Sequence, residues 1–143
     1  MTEIPDRIPF DTKIAVVVRD DLATWQACNV TAFTVAGIAA TAPETIGEEY
    51  QDGSGNRYLP MFRQPVLIYS ASAAELRRTW ERALRRDARC AIYTEDLFTT
   101  YHDEANRAAV AAVPSDALNL VGLSLYAERR TVDKIVDGLS FLK

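Results

Sequence analysis

Few residues in this chain have types and spacings suited to catalysis. His102 is the single histidine, so any imidazole base, including that of a Ser-His-Asp arrangement, has to be this residue. The serine such a base would activate is not evident. Gly122-Leu123-Ser124-Leu125-Tyr126 begins like a nucleophile elbow and lacks its final glycine. Asp20 and Asp21 are adjacent carboxylates that could share a proton or hold a cation, because like charges held together raise one pKa; the simpler reading is a charged loop ahead of a helix. One histidine and two cysteines cannot build a structural zinc site without carboxylates, so no metal is expected. Asp52-Gly53-Ser54-Gly55-Asn56 imitates a calcium loop, but Arg57 occupies the position of its required glycine and Arg63 that of its bidentate glutamate. A hairpin turn is expected there instead. Neither Gly-rich phosphate cradle, G-x-G-x-x-G or G-x-x-x-x-G-K-[ST], is present, and no cofactor is implied.

Arg78, Arg82, Arg85 and Arg89 recur at near-helical spacing and could form a phosphate-binding stripe. Glu75 and Glu81 lie at matching spacing, which favours a partly neutralised, solvated helix face. The whole-chain balance points the same way. Sixteen basic against twenty acidic residues leave a net charge of -4, opposite to the basic footprint of a nucleic-acid binder. The 143 residues, 48% hydrophobic and 25% charged, suit one domain spanning 1–143 that buries roughly 68% of its unfolded surface. Met1 to Phe10 lacks a basic region followed by an apolar run, so no secretory leader is expected and the compartment is read as cytoplasmic. Cys28 and Cys90 lie far apart and read as small buried apolar residues.

The elements that would position these groups alternate between strand and helix. Lys13 to Val18, K-I-A-V-V-V, is a β-branched run suited to a strand buried on both faces. A helix follows from Leu22 or Thr24 to Ala40, with Asp20 and Asp21 at its positive end. Residues 22–43 carry no charge, yet Gln26, Asn29 and the threonines are too polar for a membrane span. A helix apolar on nearly every face needs cover on more than one side, and a homodimer is expected. Residues 44–62 read as a hairpin with a Gly-rich turn. Pro65 to Tyr69 is a second strand, and Ser72 or Ser70 caps a helix from Ala73 to Arg86. Leu76, Trp80, Ala83 and Leu84 share one face of that helix, opposite the arginines. Cys90 to Thr94, a helix from Asp103 to Val113, a strand from Leu118 to Tyr126 and a short helix from Thr131 to Asp137 complete the pattern. The expected fold is α/β: a three-layer α/β/α structure with a mixed central sheet of about four strands and a small hairpin insertion.

K-I-A-V-V-V-R-D-D-L at Lys13 to Leu22, followed by the uncharged helix, resembles the opening of type II peptidyl-tRNA hydrolases. L-V-G-L-S-L-Y-A-E-R-R-T-V-D-K-I-V-D-G-L-S-F-L near the end is similar to that fold's last strand, short helix and terminal strand. The resemblance implies a peptidyl-tRNA hydrolase II-like scaffold over most of residues 13–143. It also marks departures. Where those hydrolases carry Lys, Gln and His on the first helix, this chain has Asn29, Phe33 and Ala36; their loop Asp corresponds to Glu95 or Asp96, and the Thr after it to Thr99 or Thr100. W-Q-x-x-N-V-T-A-F at Trp25 to Phe33, T-E-D-L-F-x-T from Thr94 and H-D-E-A-N-R from His102 resemble instead a bacterial branch of that fold, the domain-of-unknown-function family numbered two thousand.

Two functional readings follow from the resemblance. The first is a binding or regulatory protein for a small molecule, with a pocket between the first helix and the loop after the third strand, drawing on Arg19, Asn29, Glu95, Asp96, Thr99 and His102. The second is an ester or amide hydrolase in which Glu95 or Asp96 orients water, Thr99 assists, and Arg19 or Lys134 supplies positive charge. Loss of the family's Lys removes the charge that would hold a phosphate or an oxyanion. The acidic balance also counts against tRNA, and the first reading is preferred.

Overall fold

The computed structural model of this chain describes residues 10–143, so all but the last residue of the segment tested for a leader lies outside it. In chain order the elements are β1 (Thr12–Arg19), α1 (Thr24–Thr41), β2 (Tyr50–Gln51), β3 (Arg57–Tyr58), β4 (Val66–Ala71), α2 (Ala73–Arg85), β5 (Arg89–Thr94), α3 (Asp103–Ala111), β6 (Leu120–Glu128), α4 (Arg129–Ile135) and β7 (Ser140–Phe141). Five strands form the main sheet in the order β5-β6-β1-β4-β7. That is one more than the four expected. The extra strand is the two-residue β7, too short to show a period, which pairs antiparallel with β4 and stacks Phe141 on Tyr69 at 4.9 Å between ring centroids.

The sheet is mixed because β1 runs parallel to β4 and antiparallel to β6. Ile14 to Val18 are fully buried, and their side chains alternate between the two faces. Val16 and Val18 meet Ala27 and Val30 of α1 on one side. Ala15 and Val17 meet Leu76 and Ala83 of α2 and Val132 and Ile135 of α4 on the other. The result is three layers, with α1 alone on its face. β2 and β3 form the separate hairpin, whose turn is tied by the Asp52 carboxylate accepting from the Ser54 and Asn56 amides at 2.9 and 3.0 Å and from the Tyr58 hydroxyl at 2.7 Å. These bonds hold the Asp52 carboxyl well below the usual range, at about 2.

Two contacts fix where α1 lies. Gly122 of β6 sits directly beneath Val30, where a Cβ would fall 2.3 Å from Val30 Cγ1 and 2.9 Å from the Val17 carbonyl. One turn further on, the buried Ser124 hydroxyl donates to the Thr34 carbonyl at 2.9 Å. Gly122 therefore serves the close approach of a helix, and Ser124 faces α1 inside the protein instead of forming a nucleophile elbow.

Several expectations are corrected. The inward face of α1 is only Ala27, Val30, Thr34 and Ile38, so Cys28 is exposed instead of buried, and Trp25 is 57% exposed. Ser72 caps α2, accepting from the Glu75 amide at 3.1 Å, but Leu84 is 56% exposed because Thr79 takes its place on the buried face. The arginine stripe is interrupted. Arg82 donates to the Ile135 and Asp137 carbonyls of the α4 region, and Arg89 belongs to β5 and lies over the Tyr126 ring. Among the described residues no helix is long and apolar enough to cross a membrane.

Candidate functional site

The outward face of the first two turns of α1 presents Trp25, Asn29 and Phe33, each four residues after the last and therefore stacked along one side of the helix. The segment opposite begins at the end of β5. After Tyr93 the pairing of β5 with β6 slips by one residue, because Tyr93 faces Gly122 whereas Thr94 faces Leu120. Val121 is the extra residue of this bulge, and the chain then leaves the sheet in a 3-10 turn from Glu95 to Phe98. That turn carries Leu97 and Phe98 back towards α1, and Thr100, Tyr101 and the start of α3 close the far side. Between these pieces lies a cavity of about 600 Å³. It opens beside the C-terminal end of β5, at the end of the sheet where α/β proteins commonly bind ligands.

Its apolar wall is a continuous chain of rings. Trp25 meets Phe98 edge-on at 5.6 Å, Phe98 meets Tyr93 at 5.0 Å, and Tyr93 meets Phe33 edge-on at 6.2 Å. Edge-to-face contacts at these distances are favourable for aromatic quadrupoles and hold the rings in defined orientations. The partly buried Tyr93 hydroxyl donates to the Leu97 carbonyl at 3.4 Å, and desolvation raises its pKa. Tyr101, 91% exposed, stands at the mouth.

The polar wall comes from five side chains. His102 caps α3, its Nδ1 accepting from the Ala105 amide at 3.2 Å. The Thr100 hydroxyl donates to Asn106 Oδ1, which leaves the Asn106 amide nitrogen without a partner among the described residues. Asp103 accepts from Arg107 through Oδ2 and keeps Oδ1 unengaged. Asn29 lines the cavity and makes no side-chain hydrogen bond within the described residues. Asp103 is the only charged side chain of the lining, and no lysine or arginine contributes to it.

Of the residues expected at a site, the cavity brings together Asn29 and His102, together with Thr100, the alternative given to Thr99. The others lie elsewhere. Arg19 donates to Asp21 at 2.6 Å, to Asn119 Oδ1 at 3.1 Å and to the Leu120 carbonyl at 3.3 Å, and it sits 3.7 Å from Glu95. Asn119 in turn donates to Glu95 at 2.6 Å. This network ties the end of β1 to the start of β6 and to the turn after β5, and Arg19 holds the Asp21 carboxyl below its usual range. Asp20 and Asp21 are thus separated in role, and no cluster of three metal-ligating side chains exists among the described residues. The Thr99 hydroxyl donates to the Asp96 carbonyl at 2.9 Å and closes the 3-10 turn, with the Asp96 side chain exposed outside the cavity. Lys134 lies in a cleft between α2 and α4 with Arg82 and Arg86, well away from Asn29.

The residues missed from sequence are the aromatic ones and, on α3, Asp103 and Asn106. The spacing of Trp25, Asn29 and Phe33 was visible, but Tyr93 and Phe98 become partners of that stripe only once β5 is placed beside α1.

The model of the family described as protein of unknown function (DUF2000) matches residues 12–143. A solved structure of a protein of unknown function from Agrobacterium tumefaciens strain C58 is similar at 45% identity, with a TM-score of 0.91 over 94% of this chain and 100% of that one. No curated protein matches the sequence.

Proposed function

The chain belongs to the DUF2000 family, and from that premise we propose that it is a binding protein for a small organic molecule held in the cavity between α1 and α3. The observation that carries the reading is the cavity itself: about 600 Å³, walled by four mutually packed rings and edged by amide, imidazole and carboxylate groups. Its size and mixed lining are those of small-molecule sites. The rings are fixed by one another and by the α1–β6 contact at Gly122, so the site is formed before any ligand arrives.

We place the domain on a scaffold like that of the type II peptidyl-tRNA hydrolases, without their reaction. The order of strands and helices supports the likeness. Against the reaction, Asn29, Phe33 and Ala36 stand where those enzymes carry Lys, Gln and His, and Glu95 is occupied by Arg19 and Asn119. A lining without lysine or arginine has no means of neutralising a phosphate.

Fluorescence tests the proposal. Replacing Trp80, which lies on α2, by Phe leaves Trp25 as the only indole and places it in the cavity wall. Titration with indole, benzyl alcohol and benzyltrimethylammonium is expected to give a saturable emission change with at least one of them, lost in Phe33→Ala. No saturable change at millimolar concentration would remove the binding reading. Cleavage of a peptidyl-tRNA mimic that disappears in Asp96→Asn but not in Asp133→Asn would replace it with hydrolysis.

A further inference from the structure

We propose that the ligand of this cavity is an organic cation, an alkylated ammonium group, an assignment that rests on the binding reading above and adds the sign of the ligand's charge. Three features of the wall converge on it. Trp25, Phe98, Tyr93 and Phe33 form one continuous aromatic surface, and the faces of such rings carry the negative part of their quadrupole. The only formal charge in the lining is the Asp103 carboxylate, a solvent-exposed group at the cavity edge that Arg107 pairs through Oδ2. Asn29, which has no internal side-chain partner, adds a carbonyl acceptor to the same lining, as the Asn106 amide nitrogen adds a donor.

An anion would enter this wall without a single lysine or arginine to meet it. A neutral apolar ring would cover the rings but make no use of the exposed Asp103 carboxylate at their edge. A substituted ammonium satisfies both parts: its alkyl groups lie against the aromatic faces and its charge is shared between the π surface and the carboxylate. The net charge of -4 attracts such a ligand at long range.

Choline and 3,3-dimethylbutan-1-ol separate charge from shape, because the second replaces the quaternary nitrogen with carbon at nearly the same size. With Trp25 as reporter in the Trp80→Phe protein, choline is expected to bind roughly 3- to 30-fold more tightly than the neutral alcohol, the range for one cation over aromatic faces. Asp103→Asn should weaken choline and leave the alcohol unchanged. Trp25→Leu, followed in a Trp80-containing background by calorimetry, should weaken choline more than the alcohol. Equal affinities for the two, or tighter binding of benzoate than of benzyltrimethylammonium, would overturn the cation assignment while leaving a ligand site in place. Saturable binding by indole with none by either ammonium compound would do the same. If no member of the whole set binds, the binding proposal itself fails with it.

Discussion

Replacing Gly122 by Ala tests how α1 is held over the sheet. The added Cβ would lie 2.3 Å from Val30 Cγ1, against the 3.4 Å at which ordinary contact begins, and 2.9 Å from the Val17 carbonyl. The helix must therefore rise by about 1 Å at Val30, since the carbonyl belongs to the central strand and cannot retreat. Forced insertion of one methyl into a packed core costs about 1–3 kcal/mol, which for a domain of this length lowers Tm by roughly 3 to 10 °C. Thermal unfolding followed by circular dichroism measures this directly. A second arm isolates the cause: in a Val30→Ala background Cγ1 is gone, and Gly122→Ala should cost less there by at least about 0.5 kcal/mol. Because Trp25, Asn29 and Phe33 ride on the same helix, ligand binding should weaken in the single variant even where the protein stays folded. A Tm within about 1 °C of the parent, or a double variant whose losses simply add, would refute the close-approach account.

Four further outcomes follow. His102→Ala removes the cap of α3 and is expected to cost about 1 kcal/mol, with His102→Asn restoring most of it in the same thermal assay; equal stability of all three would deny the cap. Asp52 is held at about 2, so its contribution to the hairpin is present above the ordinary carboxylate range and is lost as pH falls through that value. The Ser54 and Asn56 amide shifts should titrate with a midpoint near 2, and a midpoint at the ordinary 3.8 would contradict the turn geometry. Cys28 is exposed whereas burial pushes the Cys90 thiol up to about 11, so one thiol per chain should react promptly with a disulfide reagent near pH 8. That fast phase should vanish in Cys28→Ser. For the homodimer expected from the uncharged helix, light scattering should give twice 15.9 kDa, falling to one chain in Ala36→Glu; a monomer in the parent protein disposes of it.

The layer structure was legible because its signals are local. Lys13 to Val18 reads as a doubly buried strand from β-branching alone, Ser72 announces α2 through its capping box with Glu75, and Asp52-Gly53-Ser54-Gly55-Asn56 dictates its own turn. What failed was inference about faces where the local pattern is ambiguous. α1 has no charge to mark its outside, so Cys28 could not be told from Ala27; only the contact with Gly122 and Ser124 decides which side is buried. β7 is marked by no periodicity, and only the resemblance of the C-terminal segment pointed to a terminal strand there. Two residues show no alternation, and Ser140–Phe141 becomes a strand through the open edge of β4.

The same distinction explains the candidate site. The α1 half of the cavity lies in one helical stripe and could be read from spacing. Its other half depends on β5 standing at the sheet edge and on the Val121 bulge releasing the chain after Tyr93, neither of which leaves a period in the sequence. Polar residues attracted attention first because catalysis needs them, yet Arg19, Glu95 and Asn119 satisfy one another in a network that joins three ends of chain. Asn29 and the Asn106 amide nitrogen, by contrast, line the cavity without internal partners among the described residues. Groups already bonded to one another hold the scaffold, and groups left unbonded beside packed rings are available to a ligand.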